Sequence, residues 1–325
     1  RTLLHEAIPL TGTIASGTYT DENIKTYSHG MFESVYDYPY LSSSANHIFD
    51  ITTGYASNST LSGAASVQNS KKLNIYSQMA QVLVGYDATG SIQSFDQDGD
   101  IAGGGTKIKE PLFVNFSRLL TKDEMKKGSF SMSFLTGGTS AARTHLMTVA
   151  DHGAATSYKV NSPAGEYGIL YTGSEALAGT GVGLIYYQAG VAVLTGSVFE
   201  SASMGPGVTV ATGYSAIATG STIDVMANCY RNRLHNISFN NTVELNSTVY
   251  FCRASHNEFN YSNNPTYLSE SQIRVKNSTT DNPVSYVTTV GLYSSDNELL
   301  AVAKLSEPLK KDPTTEVTLR VRLDF

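Results

Sequence analysis

Apolar and polar residues alternate strictly along the last ten residues of the chain. From Glu316 to Phe325, five apolar side chains occupy every second position, and the positions between them are charged or polar. Because successive side chains of a β-strand point to opposite faces, this period of two predicts a strand with one buried face and one solvent-facing face. Residues 129–135 alternate in the same way and predict a second strand of this kind.

The residues before the last strand predict a β-hairpin. Residues 284–293 are rich in β-branched and aromatic side chains, residues 294–297 form a turn cluster, and residues 298–305 supply the returning strand. A proline-flanked loop that contains Lys310 then leads into the last strand. Residues 283–325 are therefore expected to form a three-stranded end-piece.

Two helices and several further strands follow from the residue pattern. Apolar residues at helical spacing predict a helix near residues 73–84. A capping threonine, an acidic first turn and closing lysines predict a second helix at residues 121–127, which Gly128 ends. Strand signals resume between residues 223 and 251. The other predicted strands are residues 47–55, 111–116, 167–171, 183–187, 191–195, 249–252 and 272–276.

The composition favours strands and turns over helical bundles. Charged residues make up 15% of the chain, below the usual proportion of about a quarter, whereas tyrosine (20) and glycine (28) are abundant. With 325 residues, of which 41% are hydrophobic, the chain can bury a sizeable core. The predicted fold class is mainly β, with β-sandwich-like sheets, a few short helices and a β-rich inserted subdomain.

The composition also changes along the chain and suggests three segments. Residues 1–141 are expected to form an N-terminal arm and a β-rich core, with the arm or an edge strand near residues 13–20. Residues 142–222 are rich in glycine, alanine and tyrosine and form a candidate inserted subdomain. Residues 223–325 are expected to form a C-terminal β unit that completes the core.

Charge and hydropathy argue against nucleic-acid and membrane partners. The formal net charge is −6, and the lysines and arginines are scattered rather than gathered into the stripe that phosphate-backbone binding needs. The longest nearly uncharged apolar run, residues 182–194, is too short to span a bilayer. The first ten residues lack the basic and apolar regions of a signal peptide.

Few residues form a pattern that chemistry would require. The acidic run from Asp96 to Asp100 resembles the first half of a calcium loop, but its twelfth position is Lys107 where a ligating glutamate belongs, so a polar turn is expected. His145, Asp151 and His152 are close in sequence, yet histidines in a glycine-rich region are usually solvated or hydrogen-bonded. The chain also lacks the G-x-S-x-G motif of serine hydrolases. We predict no catalytic, cofactor-binding or metal-binding residues.

The two cysteines, Cys229 and Cys252, leave a disulfide open as an alternative. They stand 23 positions apart, without a C-x-x-C pair, and are too few to form a disulfide framework. Buried thiols are the expected state.

Three stretches carry a resemblance to a protein family. They are GLYSSDNELLAVAK at 291–304, HNEFNYSNNPTY at 256–267, and FVNFSR at 113–118 with KDEMKKGSF at 122–130. The chain resembles virion proteins of tailed bacteriophages, and it is similar to tail-fibre attachment domains and to tail and baseplate proteins of marine myoviruses, including cyanophages.

The resemblance implies a non-enzymatic structural subunit of the virion, in the tail or baseplate. Its implied partners are other virion proteins and copies of itself. Alternatives are a tail fibre or adhesin whose tyrosine-rich residues 142–219 touch a host-surface glycan, and a capsid or neck component. A polysaccharide-degrading enzyme would instead need paired carboxylates in a sugar groove.

Overall fold

The computed structural model divides the chain into two compact units, Arg1–Glu244 (unit 1) and Leu245–Phe325 (unit 2). The residues that it describes are 2–8, 21–63, 66–101, 103–138, 143–172, 181–199, 214, 218–243, 247–262, 264–269, 272–273, 278 and 280–324. The predicted arm at residues 13–20 lies outside this set.

In its described residues, unit 1 has one antiparallel sheet of twelve strands and four α-helices. The strands are β1 (Thr2–Ile8), β2 (Ile24–Thr26), β3 (Glu33–Tyr36), β4 (His47–Thr53), β5 (Pro111–Phe116), β6 (Glu124–Met125), β7 (Ser131–Gly138), β8 (Arg143–Ala150), β9 (Tyr167–Thr172), β10 (Gly183–Tyr186), β11 (Val191–Thr195) and β12 (Leu234–Val243). The helices are α1 (Val67–Leu83), α2 (Arg118–Thr121), α3 (Ala154–Ser157) and α4 (Ile223–Arg233). Short 3-10 turns occupy Asp21–Asn23, Thr60–Gly63 and Gly196–Phe199.

The strand order is β1-β12-β7-β8-β9-β10-β11-β5-β4-β3-β2, with β6 also paired to β12. Only two residue pairs join β8 to β9, so the sheet has two wings: a first wing from β1 to β8 and a second wing from β9 to β2. Phe116 of the second wing contacts Phe130 and Phe239 of the first, with ring centroids 5.9 and 5.5 Å apart. The wings therefore pack face to face, which confirms the predicted mainly β fold.

Helix α1 covers the opposite face of the second wing. It begins at a capping Ser66, whose side chain accepts a hydrogen bond from the amide of Asn69. Its Tyr76 contacts Phe95, and Phe95 contacts Phe113 of β5, with centroids 5.5 and 5.6 Å apart. Because both faces of the second wing are covered, every residue of β10 and β11 is buried, without alternation. The helix predicted near residues 73–84 is thereby confirmed.

The segment after residue 222 begins with a helix, not with the predicted strand. Ile223, Met226, Ala227 and Tyr230 recur at intervals of three or four residues and are buried in helix α4. Asp224 in its first turn and two arginines in its last turn match the helix dipole. The strand prediction is right from residue 234 onward, where β12 begins.

The helix predicted at residues 121–127 is wrong. Helix α2 ends at Thr121, because Lys122 adopts a φ of 57° and so leaves the right-handed helical region. Glu124 and Met125 then form β6, which pairs with β12. The local charge order suits a helix, but pairing to a distant strand outweighs it.

The observed units divide between residues 244 and 245, whereas the sequence suggested boundaries at 141/142 and 222/223. Residues 142–222 contribute β8 to β11, which are interior strands of the sheet of unit 1. Gly190 turns the chain between β10 and β11 with a φ of 68°, in the left-handed region that favours glycine.

Unit 2 consists of two-stranded ribbons. Its strands are β13 (Ser247–Ala254), β14 (Leu268–Ser269), β15 (Gln272–Ile273), β16 (Ser285–Tyr293), β17 (Leu299–Lys311) and β18 (Val317–Asp324), and Pro265–Tyr267 forms a 3-10 turn. Ribbon 1 pairs β13 with β18, ribbon 2 pairs β16 with β17, and β14 pairs with β15.

The predicted hairpin is confirmed as ribbon 2, but the three-stranded end-piece is wrong. Strand β18 pairs with β13 rather than with β17. The loop predicted around Lys310 belongs to β17, which runs through Pro308. Between Val287 and Thr289 the partner position shifts from Leu309 to Lys304, so the proline lies in a bulge, where a strand tolerates it.

Candidate functional site

In the acidic loop of unit 1, which begins with the run Asp96–Asp100, a lysine side chain pairs with Asp96. The ammonium of Lys107 lies 2.7 Å from a carboxylate oxygen of Asp96 and donates to the carbonyls of Asp100 and Ile101 at 3.0 and 3.2 Å. Burial raises the pKa of the Asp96 carboxyl, and the lysine opposes that rise. The Lys107 ammonium thus joins the Asp96 carboxylate to two backbone carbonyls of the same loop.

Replacing Lys107 with glutamine is expected to destabilise unit 1 by about 2 kcal/mol, because it leaves the buried Asp96 carboxylate without a counter-charge. Thermal unfolding of the variant and of the parent chain would measure this loss. Lys109→Gln removes the same charge two residues away and serves as the control. A loss no larger than that of the control would contradict the assignment.

The structure separates His145 from Asp151. His145 is exposed on β8, six residues before Asp151, which corresponds to about 20 Å along an extended strand. Asp151 is buried, and its carboxylate accepts hydrogen bonds from the amides of Gly128 and Phe130 and from the hydroxyl of Tyr187, at 2.7, 2.9 and 2.8 Å. Asp151 is therefore a structural anchor for the turn before β7.

A serine, an aspartate and a histidine do meet at one edge of the second wing, in an order that does not activate the serine. Asp50 accepts a hydrogen bond from Ser34 at 2.5 Å, and the same oxygen lies 2.7 Å from the ring of His47. In a catalytic triad the histidine stands between the other two and takes the serine proton. Here the carboxylate stands between them, so the trio holds β3 against β4.

Cavities of about 510 and 330 Å³ open on unit 1. The larger lies beside α1 and is mostly apolar, with Met31, Met79 and Val191 among its lining residues. The smaller is lined mainly by serines and by Tyr76. Neither is lined by an aspartate or glutamate, so neither provides the paired carboxylates of a glycosidase. Within the described residues no group of three His, Cys, Asp or Glu could hold a metal ion.

Neither Cys229 nor Cys252 forms a disulfide. Cys229 is buried in α4, and burial raises the pKa of its thiol to about 11. Cys252 is half-buried on β13. The expectation of buried thiols therefore holds fully for Cys229 and in part for Cys252.

Unit 2 lacks a hydrophobic core in its described residues. Every buried hydrophobic side chain that the structure describes belongs to unit 1, whereas the buried residues of unit 2 are Ser285, Lys311 and Asp312. Strand β18 alternates as predicted, but its apolar face is only half-buried. Unit 2 holds 81 of the 325 residues and 11 of the 22 large hydrophobic side chains that are exposed. Much of its apolar surface therefore stays in contact with solvent.

The two ribbons of unit 2 leave unfilled space where they meet. A cavity of about 390 Å³ is lined by β13, β18 and β16, and one of about 150 Å³ is lined by all four strands. Cys252 contributes to the wall of both. Both pockets open to solvent, so the facing sides of the two ribbons are accessible to another molecule there.

One loop of unit 2 holds aromatic side chains in solvent. Lys311 is fully buried, and its ammonium donates to the carbonyl of His256 and to the side-chain oxygen of Asn260, at 3.3 and 2.7 Å. Phe259 has a φ of 51°, which is rare for a bulky residue, and its side chain is 68% exposed. Tyr261 is exposed as well. We call residues 255–262 the aromatic loop.

Sequence reasoning missed the exposed apolar surface of unit 2, although the residues of β13 carry one signal of it. The run Val249–Tyr250–Phe251–Cys252 is apolar without alternation, so both faces of β13 carry apolar side chains. In a two-stranded ribbon one of those faces meets solvent unless another surface covers it. Phe251 accordingly is 70% exposed, opposite Arg320.

No described helix is both long and apolar enough to cross a membrane. Comparison of the chain with protein-family models, curated proteins and solved structures found no match.

Proposed function

We propose that this chain is a non-enzymatic structural subunit of a tailed-bacteriophage virion, in the tail or baseplate. It acts by assembling with copies of itself and with other virion proteins. The observation that carries the proposal is the uncovered apolar surface of unit 2, which has no buried hydrophobic side chain among its described residues. Large exposed apolar surfaces mark protein–protein contact sites.

The positions of the resembling stretches support the same proposal. Residues 291–304 form the turn and flanking strands of ribbon 2, and residues 256–267 include most of the aromatic loop. Both stretches that most resemble virion proteins therefore lie in unit 2, with the exposed apolar side chains. Unit 1, whose second wing is buried on both faces, supplies a rigid body on which such a surface can be presented.

Cryo-electron microscopy of the intact particle tests the proposal. The chain should occupy symmetry-related positions in the tail or baseplate, with unit 2 buried against neighbouring subunits. Mass spectrometry of purified particles should detect it at a fixed ratio to the other structural proteins. Its absence from purified particles would refute the virion role.

A second candidate function is host-glycan binding by the aromatic loop. Phe259 and Tyr261 are exposed on a loop that Lys311 fixes, and exposed aromatic rings can stack on sugars. The tyrosine-rich residues 142–219 are poorer candidates, because Tyr167, Tyr186 and Tyr187 are buried.

Glycan-array binding that is lost in Phe259→Ser and Tyr261→Ser, but kept in Tyr38→Ser, would favour the adhesin. Tyr38 is a comparably exposed aromatic residue of unit 1. Deletion of residues 142–219 is unsuitable as a test, since it removes four strands of the sheet.

A further inference from the structure

We propose that unit 2 packs against unit 2 of a second copy of this chain, which covers its apolar surface and fills its two cavities. This inference rests on the proposed structural function and names the partner of its interface. Four observations on unit 2 support it.

The first observation is the missing core. Folding must offset the conformational entropy of every ordered residue, mainly through apolar burial. In the described part of unit 2 that burial is incomplete at each apolar position of β13, β16, β17 and β18. A two-stranded ribbon is marginal by itself, so a further surface is needed to stabilise these strands.

The second observation is the number of free strand edges. Ribbons 1 and 2 are two-stranded, so each of their four strands has one edge without a strand partner among the described residues. Unpaired edges are sites where a strand of another chain can add to the sheet. Identical copies present the same edges, so pairing between them can be reciprocal.

The third observation is that unit 2 carries both projecting side chains and holes. Phe251 is 70% exposed on β13, whereas Phe259, which is 68% exposed, lines the larger of two open pockets of about 390 and 150 Å³ in the same unit. Projections and cavities on one molecule allow copies of that molecule to fit each other. A second copy thus provides apolar groups for the space that the first leaves empty.

The fourth observation is charge balance. Residues 245–325 contain eight Lys and Arg and nine Asp and Glu, a formal net charge of −1. The whole chain has 22 and 28, so residues 1–244 have 14 and 19, a net charge of −5. Net charge therefore opposes contact between two copies of unit 2 less than contact between two copies of unit 1.

The association of the full purified chain tests this interface. Sedimentation and light scattering between about 1 and 100 µM should show self-association with a dissociation constant in that range. The double variant Phe251→Ser/Phe259→Ser should weaken association by about a hundredfold or more, since exposed aromatic anchors dominate interface energetics. Tyr38→Ser is the control and should associate as the parent chain does. All three monomers should give the same unfolding transition for unit 1.

Labelling of Cys252 with a maleimide provides an independent readout. Its thiol lines both cavities, so its labelling rate should fall at least tenfold when the parent chain associates and should stay high in the double variant. Cys229 is buried in either state and sets the background rate.

A parent chain that stays monomeric over the whole range, with Cys252 equally reactive throughout, would overturn the interface. So would association that the double variant leaves unchanged. A monomeric pure chain whose unit 2 is covered by a different protein in the particle would refute the homotypic contact and leave the structural role standing. Self-association through unit 2 in a chain that is absent from particles would support the contact between copies and refute the virion role.

Discussion

Replacing Phe116 with alanine is expected to lower the free energy of unfolding of unit 1 by about 4 kcal/mol, a typical cost for truncating a buried phenylalanine. Phe116 ends β5 and is 3% exposed. Its ring lies 6.2 Å from Phe49, 5.9 Å from Phe130 and 5.5 Å from Phe239, measured between centroids. The truncation removes contacts on both wings at once and leaves a cavity where the wings meet.

Denaturant unfolding of the two proteins would measure the loss, with the transition of unit 1 followed by the fluorescence of its buried tyrosines. Phe251→Ala is a matched control, because it removes the same atoms from an exposed site in unit 2 and should change the unit 1 transition by less than about 0.5 kcal/mol. A loss below about 1 kcal/mol for Phe116→Ala would show that the wings do not pack through this ring.

The second large effect is a dependence of stability on pH, which originates at Asp151. Desolvation raises the pKa of this buried carboxyl from 3.8 to about 6, although its three hydrogen-bond donors oppose the rise. Between these values the folded state binds a proton that the unfolded state has released. The stabilising contribution of the protonated group is therefore complete below about pH 4 and is lost as pH rises through about 6. A shift of about two pKa units corresponds to roughly 3 kcal/mol.

The Asp151→Asn variant isolates this contribution, since asparagine keeps the shape and cannot ionise. The difference in unfolding free energy between the parent chain and the variant should change by about 3 kcal/mol from pH 4 to pH 7, in the direction that disfavours the parent at high pH. Asp296→Asn, which removes an exposed carboxylate from the turn of ribbon 2, should leave the unit 1 transition unaltered. A difference that stays constant with pH would show that Asp151 titrates alike in both states.

The two units suit different parts of one structural role. Unit 1 has a double-sided core, and its polar clusters at Lys107, Asp151 and Asp50 each hold neighbouring segments together. Unit 2 has apolar strands without a buried interior and gains its packing from a partner under the proposed interface. A variant that disrupts unit 1 should therefore unfold the subunit, whereas a variant on the surface of unit 2 should leave it folded and unassembled.

Local sequence signals predicted strand positions well where one pattern dominated. The strands at 111–116 and 191–195 have the predicted bounds, because compact β-branched and aromatic runs end at prolines, glycines or polar turns. The helix at residues 121–127 failed despite a favourable charge order, since β6 gains hydrogen bonds from β12, more than a hundred residues away. Helix α4 was missed because its short apolar residues also suit a strand, and packing decides between the two.

The sequence by itself determined which residues prefer strands and which faces of those strands are apolar, because backbone geometry fixes a period of two within a few residues. Only the tertiary structure decided which strands pair and how deeply each face is buried, because those depend on contacts between residues distant in the chain. In the tertiary structure β18 pairs with β13 instead of joining the predicted end-piece, and the Lys107 ammonium lies among the oxygens of the acidic loop. The apolar face of β18 is only half-buried, because burial depends on which other strands pack against it, and the surface left uncovered is the one that we propose a second copy occupies.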